Sequence, residues 1–248
     1  MTTLAEHAHR ALGRVSGAFL GQLLTLVELQ DGLRRYVLGE LMFMVAETLQ
    51  TLADDNRGTP MLLGEYLRQR ELAAEEIAEQ INGLMGDEDA ATLARQLTPL
   101  VSDLGSALGQ TGLPNTVATR LGVLRLIDYL RANTIQLTDL AIDVTGVAEP
   151  AAMAEGVRSL AGVLPDRFPG RSIEIRVPPH IAVQIGFGDG PTHTRGTPGN
   201  VVEMNPDTFW TLATARQSWR RAAESGSLRF SGVHAEQAER AFPIYRSR

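Results

Sequence analysis

The segment GPTHTRGTPGN, residues 190–200, groups side chains that could bind an anion. The guanidinium of Arg195 lies two residues from the imidazole of His193, and Thr197 and Asn200 add further polar groups. Glycines let the backbone approach a ligand closely, and guanidinium groups bind carboxylates through paired hydrogen bonds. The segment therefore predicts a site for a carboxylate or another small anion. A wide hairpin loop with ordinary turn chemistry is the alternative interpretation.

Metal and nucleotide chemistry have weaker support. Asp139 and Asp143 are one helical turn apart and could combine with Glu40 or Glu47, but such pairs are more typical of a solvated helix face. The chain has no Gly-x-Ser-x-Gly elbow and no phosphate-binding loop ending in Gly-Lys-Ser or Gly-Lys-Thr. We therefore predict no metal, no cofactor and no catalytic residue of these kinds.

The composition indicates two domains and a reducing compartment. A chain of 248 residues can form one large core or two ordinary ones. The net charge of −6 argues against nucleic acid or an anionic membrane as the main partner, since both require a basic surface. With no cysteine there is no disulfide, and the apolar run 18–29 is too short and too polar to span a bilayer. We predict a cytoplasmic protein that does not insert into membranes.

Residues 1–146 have the periodicity of a helical bundle. Apolar residues recur at steps of three and four, which is typical of helices with one buried face. The first such stripe is Leu12, Val15, Phe19, Leu23 and Leu26. We predict a four-helix-type bundle whose longest helix covers 119–144, and Thr98-Pro99 predicts the start of a separate helix.

A connecting helix and linker, residues 147–170, then lead into an α+β domain at 171–248. The helix is predicted from Pro150 to Leu164. Two alternating strands follow it, and they pair across Pro178-Pro179. Their buried residues are Ile173, Ile175 and Val177 on the first strand and Ile181, Val183, Ile185 and Phe187 on the second.

The rest of this domain is predicted as two helices, a strand and a final helix. Asn205 and Pro206 begin a helix that carries Phe209 and Trp210, with Arg216 on the same face as Phe209. A second short helix is capped by Ser218 and ends at Gly226, and the last strand and helix follow it.

This order of elements, together with the phrase HTRGTPGNVVE, resembles a sterol-carrier-protein-like (SCP-like) domain of the shorter bacterial kind found in actinobacteria. The resemblance covers residues 171–245. It implies an α+β domain with a mostly antiparallel sheet and a mostly apolar cavity for a ligand. The large aromatic residues available to line that cavity are Phe209, Trp210 and Phe230.

The helical half resembles the DinB-type bundle of mycothiol-dependent maleylpyruvate isomerases. The resemblance lies in YVLGELMFMV, residues 36–45, and in QLTDLAIDV, residues 136–144. It implies a zinc site of two histidines and one glutamate, but Met44, Gln136 and Leu140 stand at these positions. Thioether, amide and alkyl groups are poor zinc ligands. The resemblance thus implies an isomerase scaffold that has lost its metal.

The sequence is compatible with three functions. The preferred one is a non-catalytic binding protein for a small hydrophobic or lipid-like molecule. The second is a mycothiol-dependent zinc isomerase or transferase with ligands elsewhere in the chain. The third is a structural or regulatory interaction module, acting through a homo-oligomer or another protein. Fold resemblance alone supports this order, since one fold hosts many functions.

Overall fold

The structure is a computed structural model that describes residues 4–29, 32–53, 58–188 and 199–246. It divides into two compact units, Met1–Glu155 and Gly156–Arg248. The predicted α+β class is confirmed, with helices in the N-terminal part and a sheet in the C-terminal part. The elements are α1 Leu4–Glu28, α2 Arg35–Ala53, α3 Leu63–Leu72, α4 Ala74–Met85, α5 Ala90–Leu108, β1 Thr116–Thr119, β2 Gly122–Arg125, α6 Leu126–Thr145, α7 Pro150–Arg167, β3 Ile173–Val177, β4 Ile181–Ile185, β5 Val201–Glu203, α8 Pro206–Ala213, α9 Trp219–Glu224, β6 Arg229–Ser231 and a 3₁₀ helix Ala235–Ala241.

The four longest helices of the described N-terminal unit are α1, α2, α5 and α6. α1 packs along α6, α2 packs along α5, and α1 also contacts α5. The apolar stripe predicted on α1 is confirmed, since Val15, Phe19 and Leu23 are fully buried. Burial of such a stripe, more than intrinsic propensity, stabilises helices in proteins.

A two-stranded hairpin occupies part of the segment predicted as one long helix. β1 and β2 pair antiparallel, with Thr119 opposite Gly122, and α6 begins only at Leu126. The prediction of a continuous helix over 119–144, and of helix throughout 1–146, is therefore wrong. Gly122 has a φ of +131°, a conformation that residues with a side chain rarely adopt. Val123 and Leu126 are three positions apart, as apolar residues on one face of a helix are, but Val123 lies in β2 and Leu126 begins α6.

The predicted helix boundary at Thr98-Pro99 is also wrong, because α5 continues through Pro99. A proline inside a helix removes one backbone hydrogen bond, and here the helix tolerates that loss. α5 begins instead after Asp89, whose side chain accepts a hydrogen bond from the backbone N–H of Thr92 at 2.7 Å. This hydrogen bond holds the pKa of Asp89 below its ordinary value.

The C-terminal unit contains a sheet with the strand order β4-β3-β5-β6. The predicted pairing of β3 with β4 is confirmed and is antiparallel, with Ile175 opposite Val183. β5 pairs in parallel with β3 and antiparallel with β6. Among the described strands the sheet is therefore mostly antiparallel, as predicted. Strand β5 was not predicted, because three residues are too few for alternation to be recognised.

The predicted helix caps of this unit are confirmed. The side chain of Asn205 accepts a hydrogen bond from the N–H of Thr208 at 2.7 Å, and that of Ser218 accepts one from the N–H of Arg221 at 3.3 Å. Gly226, with a φ of +71°, follows α9. The last helix is of the 3₁₀ type and contacts β3, β5 and β6. No helix in the described ranges is long and apolar enough to cross a bilayer.

Candidate functional site

Three residues of the predicted anion-binding loop, His193, Arg195 and Thr197, lie outside the described residues. The loop therefore stays a prediction. The other predicted ligand-binding residues belong to the described part of the C-terminal unit.

Asn200 joins separate parts of the C-terminal unit through its side chain. Its Nδ2 donates to the carbonyl oxygen of Ser172 at 2.9 Å, and its Oδ1 accepts from the backbone N–H of His234 at 2.9 Å. Gly232 lies so close that a Cβ there would overlap Asn200. The side chain is buried, so in this structure it holds the start of β5 to its neighbours.

Phe209 and Trp210, both fully buried, are the largest side chains of α8. The indole ring of Trp210 lies against Gly156 of α7, where an added Cβ would come within 2.6 Å of ring atom Cζ3. Phe209 makes an edge-to-face contact with Phe242, with ring centroids 5.9 Å apart. Trp210 thus fills the core of the unit, and Phe209 packs against Phe242.

Arg216 is exposed in the turn between α8 and α9. The backbone N–H groups of Arg216 and Gln217 both donate to the carbonyl oxygen of Thr211, at 2.8 and 3.0 Å. In this turn Ala215 has a φ of +63°, and no other non-glycine residue in the described ranges has a positive φ. Such a conformation costs about 1–2 kcal/mol, and strain of this kind is concentrated at functional positions.

An open cavity of about 290 Å³ lies beside this turn, and we call it the aromatic groove. It lies against α8, α9, the 3₁₀ helix and the C-terminal segment. Its lining residues are Leu212, Ala215, Gln217, Ser218, Trp219, Glu239, Phe242, Pro243 and Arg246. The apolar members can contact a hydrocarbon, and the amide, hydroxyl and charged members can contact a polar end group.

Aromatic rings support the groove. Trp219 lies 5.4 Å from Phe242 and 5.9 Å from Phe230, measured between ring centroids. Such pairs stabilise a fold beyond their buried area and keep the rings in fixed orientations. The last residues are fastened to α8, because the N–H groups of Ile244 and Tyr245 donate to the carbonyl oxygen of Ala213 at 2.9 and 3.0 Å. The groove is thus held in shape by contacts within the C-terminal unit.

Residues 149–244 match the family described as bacterial SCP ortholog. The match covers less than half of the chain and includes every groove-lining residue except Arg246. It agrees with the SCP-like domain predicted from the order of elements. No curated protein matches the chain.

The three positions of the expected zinc ligands lie on α2 and α6, outside the SCP-like region. Met44 and Leu140 are buried, and Gln136 is half-buried. The carbonyl oxygen of Met44 accepts a hydrogen bond from the hydroxyl of Thr48 at 2.7 Å. Within the described ranges, no three histidine, aspartate or glutamate side chains are grouped closely enough to hold a metal ion.

A buried polar cluster between α2 and α6 was not recognised in the sequence. The hydroxyl of Tyr129 lies 3.3 Å from that of Thr48 and 3.4 Å from a carboxylate oxygen of Glu47, and Asn133 donates to Thr48 at 3.4 Å. Burial, and then the negative charge of Glu47, raise the pKa of Tyr129. Its phenol therefore stays neutral and can donate a hydrogen bond. In the sequence Glu47 and Thr48 are far from Tyr129 and Asn133, and no local pattern indicates that their side chains lie together in the structure.

Proposed function

We propose that the SCP-like region is a non-catalytic binding module that holds a small hydrophobic or lipid-like molecule in the aromatic groove. The observation that carries the proposal is the groove itself, an aromatic surface beside a strained turn with polar groups at its edge. The match to bacterial SCP orthologs is compatible with a hydrophobic ligand. The volume of about 290 Å³ is near the lower limit of small-molecule pockets, so a small ligand, or one end of a larger one, suits it.

The residues around the groove suggest how a ligand would lie. Its apolar part would contact Leu212, Trp219 and Phe242, and each buried methylene would contribute about 0.8 kcal/mol. A polar end group would meet Gln217 or Arg246 at the edge. Because binding also costs translational and rotational freedom, we expect a Kd of roughly 10–100 μM for a medium-chain fatty acid.

We propose further that the helical unit is a DinB-type scaffold without metal, and that the protein acts in the cytoplasm. The side chains of Met44, Gln136 and Leu140 support the first part, since none of them is a good zinc ligand. The absence of cysteine from the sequence supports the second part.

Tryptophan fluorescence tests the binding proposal. The chain has two tryptophans, so Trp210→Phe leaves Trp219 in the groove as the single reporter. We expect laurate to change the emission of Trp219 in a saturable way. In that background, Phe242→Ala removes a wall of the groove and should weaken binding by about tenfold.

The matched control is Val233→Ala, which removes an exposed apolar side chain that does not line the groove. It should bind laurate as the parent variant does. A folded Phe242→Ala variant with unchanged affinity, or no emission change at millimolar laurate, would contradict the proposal. Folding is checked by circular dichroism.

A further inference from the structure

A larger cavity, of about 670 Å³, lies in the N-terminal unit, and we call it the hairpin cleft. Its walls are α2, α4 and the β1–β2 hairpin. Its lining residues are Phe43, Ala46, Glu47, Gln50, Thr51, Gln80, Leu84, Ala118, Thr119 and Arg120. Arg120 and Glu47 are the charged residues among them.

Close packing fixes the walls. Gly39 of α2 lies so near Met85 and Ile81 of α4 that a Cβ at this position would overlap the methionine side chain. The hairpin is fastened by a hydrogen bond from the N–H of Met61 to the carbonyl oxygen of Val123 at 2.9 Å. The cleft is therefore a preformed cavity, as most small-molecule sites are.

The turn that carries Arg120 is held by one side chain. The hydroxyl of Thr119 donates to the carbonyl oxygen of Gly122 at 2.8 Å and accepts from the N–H of Leu121 at 3.1 Å. These two hydrogen bonds fix the backbone on both sides of Arg120. The position of the Arg120 backbone, from which the side chain extends, is thus fixed by contacts within the protein.

The Arg120 guanidinium is oriented by two contacts. Its Nε donates to a carboxylate oxygen of Glu47 at 3.1 Å, and its carbon Cζ lies 4.6 Å from the ring centroid of Phe43. Within the described ranges no other side chain pairs with this guanidinium. The two terminal nitrogens are thus left for a planar anion, which guanidinium groups bind through two parallel hydrogen bonds.

The charge of the cleft selects the kind of anion. Arg120 and Glu47 cancel, so the lining is neutral before a ligand binds. The attraction of an anion to Arg120 and its repulsion by Glu47 both scale with the charge of the anion, whereas the cost of removing the anion from water rises more steeply, so a monoanion is favoured over a phosphate monoester with nearly two charges. The ring of Phe43 and the methyl groups of Leu84 and Ala118 offer apolar contacts beside the cation.

We propose that the hairpin cleft binds a small monocarboxylate with an apolar body. The carboxylate pairs with the terminal nitrogens of Arg120, and the apolar body lies between Phe43 and Leu84. The residues that line this site and those that line the aromatic groove belong to different units of the chain.

Isothermal titration calorimetry with the full chain tests this proposal. Phenylacetate is the probe, phenylacetamide is its neutral counterpart, and phenyl phosphate is the dianionic one. We expect the Kd for phenylacetate to be about tenfold lower than that for either of the other two compounds. This ratio corresponds to the free energy of one charge-assisted hydrogen bond. Arg120→Gln should lose about as much, and Arg120→Lys should retain an intermediate affinity because it keeps the charge without the planar group.

Arg220→Gln is the control, because it removes an exposed arginine of the other unit. It should bind phenylacetate as the native chain does. Wild-type affinity in a folded Arg120→Gln variant would overturn the proposal, and so would equal binding of phenylacetamide or tighter binding of phenyl phosphate. The Nε–H resonance of Arg120 in the native chain gives a test that needs no variant. It should shift on titration with phenylacetate, and an unmoved resonance at saturation would overturn the proposal.

Discussion

Gly156 shows how one small residue positions a large one. It lies within α7, where glycine is less favourable than alanine by about 1 kcal/mol. The indole of Trp210 occupies the space that a side chain at this position would need. The glycine is therefore explained by packing rather than by backbone conformation.

We expect Gly156→Ala to destabilise the protein by about 1–2 kcal/mol, because overpacking outweighs the gain in helix propensity. Chemical denaturation measures this change in the free energy of unfolding. In a Trp210→Phe background the smaller ring leaves room for the methyl group, so the same substitution should cost less. Equal costs in the two backgrounds would show that the contact with Trp210 does not explain the glycine.

A chain of ion pairs joins three helices in the N-terminal unit. Arg14 on α1 pairs with Glu155 on α7 at 3.1 Å, and Arg131 on α6 pairs with both Glu155 at 3.3 Å and Asp128 at 3.1 Å. Arg125 completes the chain at Asp128. The two carboxylates are almost fully buried, with 0% and 2% of their side chains exposed, and the arginines offset the free-energy cost of removing these groups from water.

Arg131 contacts both buried carboxylates, and we expect Arg131→Met to destabilise the protein by about 1–2 kcal/mol. The cost arises because Glu155 and Asp128 each lose one of two arginine partners while remaining buried, and Arg14 and Arg125 still pair with them. Arg220→Met removes an exposed ion pair with Glu224 on α9, whose N···O distance is 2.8 Å, and should lower the free energy of unfolding by less than about 0.5 kcal/mol. Urea denaturation of both variants checks the contrast, and similar costs would contradict this account.

Elements with strong local signals could be predicted from the sequence. The alternation in Ile173–Val177 and Ile181–Ile185 identified β3 and β4, and Asn205-Pro206 marked the start of α8. In these segments the local chemistry and the final packing favour the same structure. Caps and alternation depend on neighbours in sequence, so one chain is enough to recognise them.

The errors arose where tertiary contacts decide the structure. β1 and β2 are four residues each, and their pairing depends on the positive φ of Gly122 and on docking by Met61. α5 continues through Pro99 because packing outweighs one lost hydrogen bond. Both candidate sites likewise depend on contacts between residues that are distant in sequence. Arg120 and Glu47 are 73 positions apart, and no local sequence pattern indicates that their side chains form an ion pair.

At the scale of the whole molecule, the two units carry separate cores and separate cavities. The boundary falls within α7, whose first residues belong to the N-terminal unit and whose remainder belongs to the C-terminal unit. The aromatic groove lies in the unit that carries the SCP match, and the hairpin cleft lies in the other. The two binding proposals therefore concern different units of the chain and can be tested separately.

Metal content tests the proposal that the helical unit holds no zinc. We expect the purified chain, dialysed against buffer with micromolar zinc and then without it, to retain far less than one equivalent. The triple substitution Met44→His, Gln136→Glu and Leu140→His should gain zinc, since residues 136 and 140 share one face of α6. Stoichiometric zinc in the native chain, measured by atomic absorption, would contradict the proposal.

The most direct test of the central claim locates the hydrophobic ligand by NMR. In a sample saturated with laurate, we predict intermolecular nuclear Overhauser effects from the acyl protons to the indole of Trp219 and the methyl group of Ala215. If laurate at saturation shows such effects only to residues outside the aromatic groove, or to none, the claim that this groove is the binding site is wrong.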